Sequence, residues 1–173
     1  QGIGITAEQF DRGVSDGRLA GHVGFHESAA MIARALGLRY DRLEQRMRPI
    51  ITEIDRKSPH GFAPRGHVAG VNMTARAMDG DEERIALIHP QQIEPELAGV
   101  DTGDYIDLRG EPPVSMAVKP EVNGGLGTIA MACNTLPFVV AARPGLLTML
   151  DIPVPRCVMG DYREIAFGEE NNG

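Results

Sequence analysis

Ala69-Gly70-Val71-Asn72-Met73-Thr74-Ala75-Arg76-Ala77 alternates apolar residues with polar ones or glycine without a break. A period of two with one apolar parity is the pattern of a strand with one covered face. Asp79-Gly80-Asp81 supplies hairpin turn chemistry, and Arg84 to His89 returns as a second strand. Upstream, Arg42 to Ile54 mixes apolar and charged residues. It holds Pro49, which suits a long irregular strand better than a helix. Lys57 to Gly66, rich in Pro, Gly and Ser, reads as a loop. Downstream, Tyr105-Ile106-Asp107-Leu108 alternates again, and Gly110-Glu111-Pro112-Pro113 leads into a strand from Val114 to Val118.

Helices flank this run of strands. Thr6-Ala7-Glu8-Gln9 has capping-box spacing, and Phe10 and Val14 follow at helical intervals, which predicts a helix from Ala7 to Asp16 stopped by Gly17. Ala29 to Leu36 is Ala-rich and closed by Gly37, a glycine at the position where helices end left-handed. Leu126 to Ala141 is nearly all apolar, with a kink expected near Pro137. Strands run consecutively instead of alternating with helices. The fold expected is therefore α+β, with a mixed, largely antiparallel sheet of about four to five strands and helices packed on one face.

Composition narrows the function. Of 173 residues, 42% are hydrophobic and 24% charged, which suits a globular chain and excludes a disordered one. A net charge of −7 argues against nucleic-acid partners. Cys133 and Cys157 form no zinc or disulfide framework. The longest apolar stretch, Ile129 to Ala142, is interrupted by Asn134, Thr135 and Pro137 and falls short of the roughly 20 residues of a bilayer span. A soluble, cytoplasmic domain without a membrane partner is the expectation. The opening Gln1-Gly2-Ile3-Gly4-Ile5 reads as the interior of a longer chain, with residues 1–173 one domain of it.

Gly21-His22-Val23-Gly24-Phe25-His26-Glu27-Ser28 delivers the chain to a helix start. Uncapped amides approached by glycines form an anion site, so a carboxylate or phosphate fits against Gly24, Phe25, His26, Glu27 and Ser28, with either His22 or His26 as a proton donor or hydrogen-bond partner. From spacing alone, a capped helix after a tight turn carries more weight than a binding site. Gly125-Leu126-Gly127-Thr128-Ile129-Ala130 resembles a dinucleotide fingerprint only superficially, since no following strand completes a βαβ unit. Asn134 interrupts an apolar helix and either bonds the backbone freed by Pro137 or faces a ligand. No His or carboxylate spacing makes a metal site, so none is expected.

Several separated motifs resemble the second domain of the 2,4-diaminopentanoate dehydrogenases and related amine dehydrogenases, in the wider dihydrodipicolinate-reductase-like group. They are Gly4-Ile5-Thr6-Ala7-Glu8-Gln9-Phe10, Gly21-His22-Val23-Gly24 with Glu27-Ser28, Gly127-Thr128, Asn134, Pro137, and Pro144-Gly145-Leu146-Leu147-Thr148-Met149-Leu150-Asp151-Ile152-Pro153. The resemblance implies a substrate-binding and oligomerisation domain of an enzyme that moves hydride at a carbon bearing an amine or imine. NAD or NADP would sit mainly on an N-terminal Rossmann domain, with Thr128 and Asn134 lining the cofactor side. His22 would be the catalytic residue and Gly24 to Ser28 the substrate contacts. The small-molecule partner would be an amine or imine, and the sheet would join copies into a homo-oligomer. Dihydrodipicolinate reductases carry paired histidines and a nearby lysine, whereas this segment has His22 without an adjacent histidine and no lysine. The amine-dehydrogenase branch therefore fits better. The competing reading is a free-standing binding or oligomerisation module without catalysis.

Overall fold

A computed structural model of the chain describes residues 1–167. The fold is α+β, and it divides into two compact units, Gln1–Asp101 and a second beginning at Thr102.

In the first unit, α1 (Ala7–Ser15) opens at Thr6, whose hydroxyl accepts from the Gln9 amide at 3.2 Å. The Gln9 side chain accepts in return from the Thr6 amide at 2.9 Å. This reciprocal cap satisfies two helix-end donors locally, as the sequence pattern implies. The next helix, α2 (Phe25–Leu36), begins before Ala29, so the expected loop residues 25–28 form its first turn. Gly37 closes it at φ 66°, where a side chain would strain the backbone.

Strands β1 (Arg42–Ile51), β2 (Arg56–Ser58), β3 (Gly61–Ala63), β4 (Val68–Asp79) and β5 (Glu82–Gln92) follow. The sheet order is β1-β4-β5, antiparallel throughout. Pro49 lies on edge strand β1, where its missing N–H is tolerated. The segment expected as a loop carries the small β2–β3 hairpin instead. Three-residue strands are too short to show alternation, and their turn composition hides them. Buried Arg56 ties this hairpin to the end of β5, donating from one terminal nitrogen to the Gln92 side chain at 2.7 Å and the Ile93 carbonyl at 3.1 Å.

Both helices cover one face of the three-stranded sheet. Phe10 of α1 packs on Val68, Val71 and Met73, and Ala33 of α2 packs on Ala77 and Ile85. Burying a side chain such as Phe10 or Met73 stabilises the fold by about 1.5–3 kcal/mol. Small residues on β4 let the helices approach closely. Gly70 is required for a different reason: a Cβ there would run into the backbone at Gln91 and Gln92.

The second unit holds β6 (Asp104–Leu108), β7 (Val114–Val118), α3 (Gly124–Ala141) and α4 (Tyr162–Ala166). β6 and β7 pair antiparallel, with Ile106, Leu108, Val114, Met116 and Val118 on one face. The strands are thus distributed over three antiparallel sheets, β1-β4-β5, β2-β3 and β6-β7. Helix α3 starts earlier than Leu126 and runs 18 residues. By length and composition alone it is long and apolar enough to cross a membrane, because Gly124 to Thr128 join the expected apolar stretch in one helix. Asn134, Thr135 and Pro137 still interrupt it. The helix α4 near the chain end was not legible in the sequence.

Candidate functional site

The Gly21–Ser28 segment belongs to the first unit, and its geometry starts from Met73. That residue stands opposite His89 in the β4–β5 ladder, and its side chain is buried. Its sulfur accepts a hydrogen bond from the His22 amide at 2.9 Å. Gly21 precedes this contact because a Cβ there would overlap the Met73 side chain. The glycine is a close-approach residue, and the approach fixes where His22 leaves the loop.

His22 meets a partner that the sequence reading did not nominate. Its Nε2 lies 3.1 Å from Nε2 of His89, with ring planes at 73° and centroids 4.7 Å apart. Phe25, the first residue of α2, stacks with the His22 ring at 6.3 Å and meets the His89 ring edge-on at 6.5 Å. The three rings form one cluster at the start of α2. A signal for His89 was present: it shares the covered parity of β5 with Ile85 and Leu87, where a histidine is out of character.

Gly24 is the N-cap of α2, and no side chain caps the helix there. The Ser28 amide donates to the Gly24 carbonyl at 3.0 Å, the first intrahelical bond. A Cβ on Gly24 would meet nothing within 4 Å, so the approach to the helix start is open. Glu27 lies in the first turn, which favours the helix dipole but competes with an incoming anion. His26 and Glu27 are exposed and Ser28 is half-buried. The structure thus pairs His22 with His89 and Phe25, not with His26.

Thr128 and Asn134 lie in the second unit, on α3. The Thr128 hydroxyl donates to the Gly124 carbonyl at 2.8 Å within the helix. Asn134 takes neither of the two expected uses with its oxygen: Oδ1 accepts from the Val158 amide at 3.1 Å, tying the following segment to α3. Among the described residues no three His, Cys, Asp or Glu side chains gather around a common point.

A nicotinamide dinucleotide is the cofactor that the resemblance implies, and the usual cradle for one is not found among the described residues. All pairings among the described strands are antiparallel, so no parallel βαβ unit is present among them. The glycines at the start of α3 follow an antiparallel hairpin, and Asn123 caps the Leu126 amide at 3.1 Å. The fingerprint needs a buried parallel strand and open amides at that point.

Comparison with known proteins agrees with the architecture. A 2,4-diaminopentanoate dehydrogenase of Acetoanaerobium sticklandii is 55% identical over 166 residues, covering 95% of this chain and 47% of the relative. The solved structure of an amine dehydrogenase from Mycobacterium smegmatis matches with a TM-score of 0.73 at 20% identity. It covers 90% of this chain and 46% of that one, and at such identity the likeness speaks for the fold. The chain therefore spans about half the length of the relatives it matches. The model of the 2,4-diaminopentanoate dehydrogenase C-terminal domain matches residues 1–167, and the chain belongs to that family.

Proposed function

We propose that this chain is the substrate-binding and oligomerisation domain of an NAD(P)-dependent oxidoreductase acting at a C–N bond. The observation that carries the reading is the 55% identity to a 2,4-diaminopentanoate dehydrogenase over 95% of the chain. The substrate class is a small amine, with 2,4-diaminopentanoate the first compound to test. NAD or NADP supplies the hydride acceptor and would be held mainly by a domain outside this chain. On this chain, Thr128 and Asn134 are the positions assigned to the cofactor side.

The chain's own residues would bind and handle protons. An amine reaches neutral water as an ammonium ion, and a C–N oxidation needs its nitrogen lone pair free. His22 is the group assigned to take that proton, because an imidazole changes charge near neutral pH. Gly24 to Ser28 would receive a carboxylate of the substrate at the open start of α2, where the helix dipole favours negative charge.

The face of β1 and β4 away from the helices is the proposed oligomer interface. It holds Glu44, Arg46, Arg48, Asn72, Thr74 and Arg76 around a shallow depression. Within it, Oδ1 of Asn72 is shielded from solvent without a hydrogen-bond partner. A second copy laid on this face would bring donors to that oxygen, an arrangement consistent with a symmetric contact.

The test is direct. The full-length protein carrying this domain should reduce NAD+ or NADP+ in the presence of 2,4-diaminopentanoate, followed by absorbance. No reduction of either cofactor with any small amine would sink the enzymatic reading.

A further inference from the structure

We propose that His89 is a positioning residue that makes His22 one half of a two-imidazole proton relay. The inference rests on the reading of His22 as the proton-handling group. It adds the atom that meets the substrate and the place where the proton goes.

Nε2 of His22 and Nε2 of His89 are 3.1 Å apart. At that distance two N–H groups would collide and two lone pairs would repel. The contact is therefore a hydrogen bond, with one proton between the two nitrogens. A neutral imidazole carries one N–H. Whatever His89 imposes at Nε2 of His22 thus dictates the state of Nδ1. Because Nε2 is committed to His89, Nδ1 is the atom His22 has left for a ligand.

The relay follows from this geometry. With His22 donating from Nε2 to His89, Nδ1 of His22 presents a lone pair. A substrate ammonium gives its proton to that Nδ1, and the Nε2 proton passes to Nε2 of His89. His22 ends neutral with its proton on Nδ1, His89 carries the positive charge, and the substrate is a free amine. One N–H bond breaks and one forms at each transfer, so the proton count closes without a further reactant.

The fold holds both rings for this purpose through a single residue. Met73 is the ladder partner of His89 and the acceptor for the His22 amide at 2.9 Å. Phe25 packs against both rings and limits their rotation. Both histidines are exposed, so a small molecule can reach them.

Two measurements test the proposal. The first is long-range 15N–1H NMR of the histidine rings in this chain. His22 should occupy one dominant tautomer in the wild type and a mixture in His89→Phe, which keeps a ring beside Phe25 but removes both nitrogens. The same tautomer population in both proteins would overturn the positioning role.

The second is turnover of the full-length protein on 2,4-diaminopentanoate. His22→Ala should lower kcat by roughly 100-fold and His89→Phe by roughly tenfold, with KM little changed. His89→Gln keeps a hydrogen-bond partner for Nε2 of His22 but cannot carry the proton, so its kcat should stay as low as that of His89→Phe. Full activity in His22→Ala would remove the reading on which the relay rests. Loss in His22→Ala with wild-type kcat in both His89 variants would remove only the relay.

Discussion

The His22 amide donates to the sulfur of Met73 at 2.9 Å, so the candidate site hangs from the buried centre of the sheet. A core side chain and a site loop thereby share one anchor. Met73→Leu conserves volume and should cost less than about 1.5 kcal/mol, because the apolar contacts with Phe10 and Val71 survive. The hydrogen bond to His22 is lost all the same. Amide exchange at His22 should speed up in this variant while exchange in the centre of β4 changes little. Unchanged protection at His22 would show that the sulfur does not hold the loop.

Gly21 and Gly24 lie in one loop and should respond to substitution for different reasons. A Cβ at residue 21 overlaps the Met73 side chain, so Gly21→Ala should destabilise by about 1–3 kcal/mol through overpacking. Gly24 has φ −79° and open space around it, so Gly24→Val should cost only the lost N-cap preference, on the order of 1 kcal/mol, without overpacking. In the full-length protein the same Gly24→Val should raise KM, since the added methyls stand over the helix amides. Equal KM in wild type and variant would mean that the start of α2 receives no substrate group.

Much of this architecture was legible because its signals are local. The capping box at Thr6, the closing glycine at 37 and the alternation through β4 each encode one element within a few residues. The β2–β3 hairpin was hidden because its strands are three residues long and depend on Arg56 reaching the end of β5. His22 could be nominated from its glycine-rich setting. His89 could not be paired with it by spacing, since 67 positions separate them and only the sheet register brings them together. The contact of Asn134 with the Val158 amide was not legible for a similar reason, since that amide comes from an irregular segment without periodicity.

Glu94 combines backbone strain with an unfavourable charge. It is the one non-glycine residue with positive φ among those described, at 46°. A hydrogen bond to the Glu96 carboxyl raises its pKa, with burial and the neighbouring charge adding to the effect. A carboxyl whose pKa is raised on folding binds its proton more tightly in the folded state. Stability therefore falls as pH rises from the ordinary glutamate value through the raised one. Glu94→Asn removes the titration and tolerates the left-handed conformation. The variant should unfold at higher urea than wild type, and its advantage should be larger at about pH 7 than at about pH 4. An advantage independent of pH would leave only the backbone contribution.

The outer face of β1 and β4 gives a prediction about assembly. Arg46 and Arg48 project from the same parity of β1 as Glu44, opposite Thr74 and Asn72 of β4. If copies meet there, reversing one charge should weaken association without unfolding the helix-covered side. Sedimentation should show an oligomer for the wild type and a shift toward monomer for Arg48→Glu, with unchanged circular dichroism. A wild type that stays monomeric at high concentration would remove this face as an interface.

The last prediction concerns the dinucleotide. Tight binding of NAD+ or NADP+ by a Rossmann unit depends on a parallel strand feeding a helix whose first amides are open to the pyrophosphate. Here α3 follows the antiparallel β6–β7 hairpin. Its Leu126 amide is already capped by Asn123 and is not open to a pyrophosphate. The net charge of −7 further opposes a phosphate-bearing ligand. Calorimetric titration of this chain alone with either cofactor should therefore give at most weak binding. The full-length protein, assayed in the same way, should bind one of the two far more tightly. A submicromolar Kd for the isolated chain would place the cofactor site on these residues and overturn the division of labour between the domains.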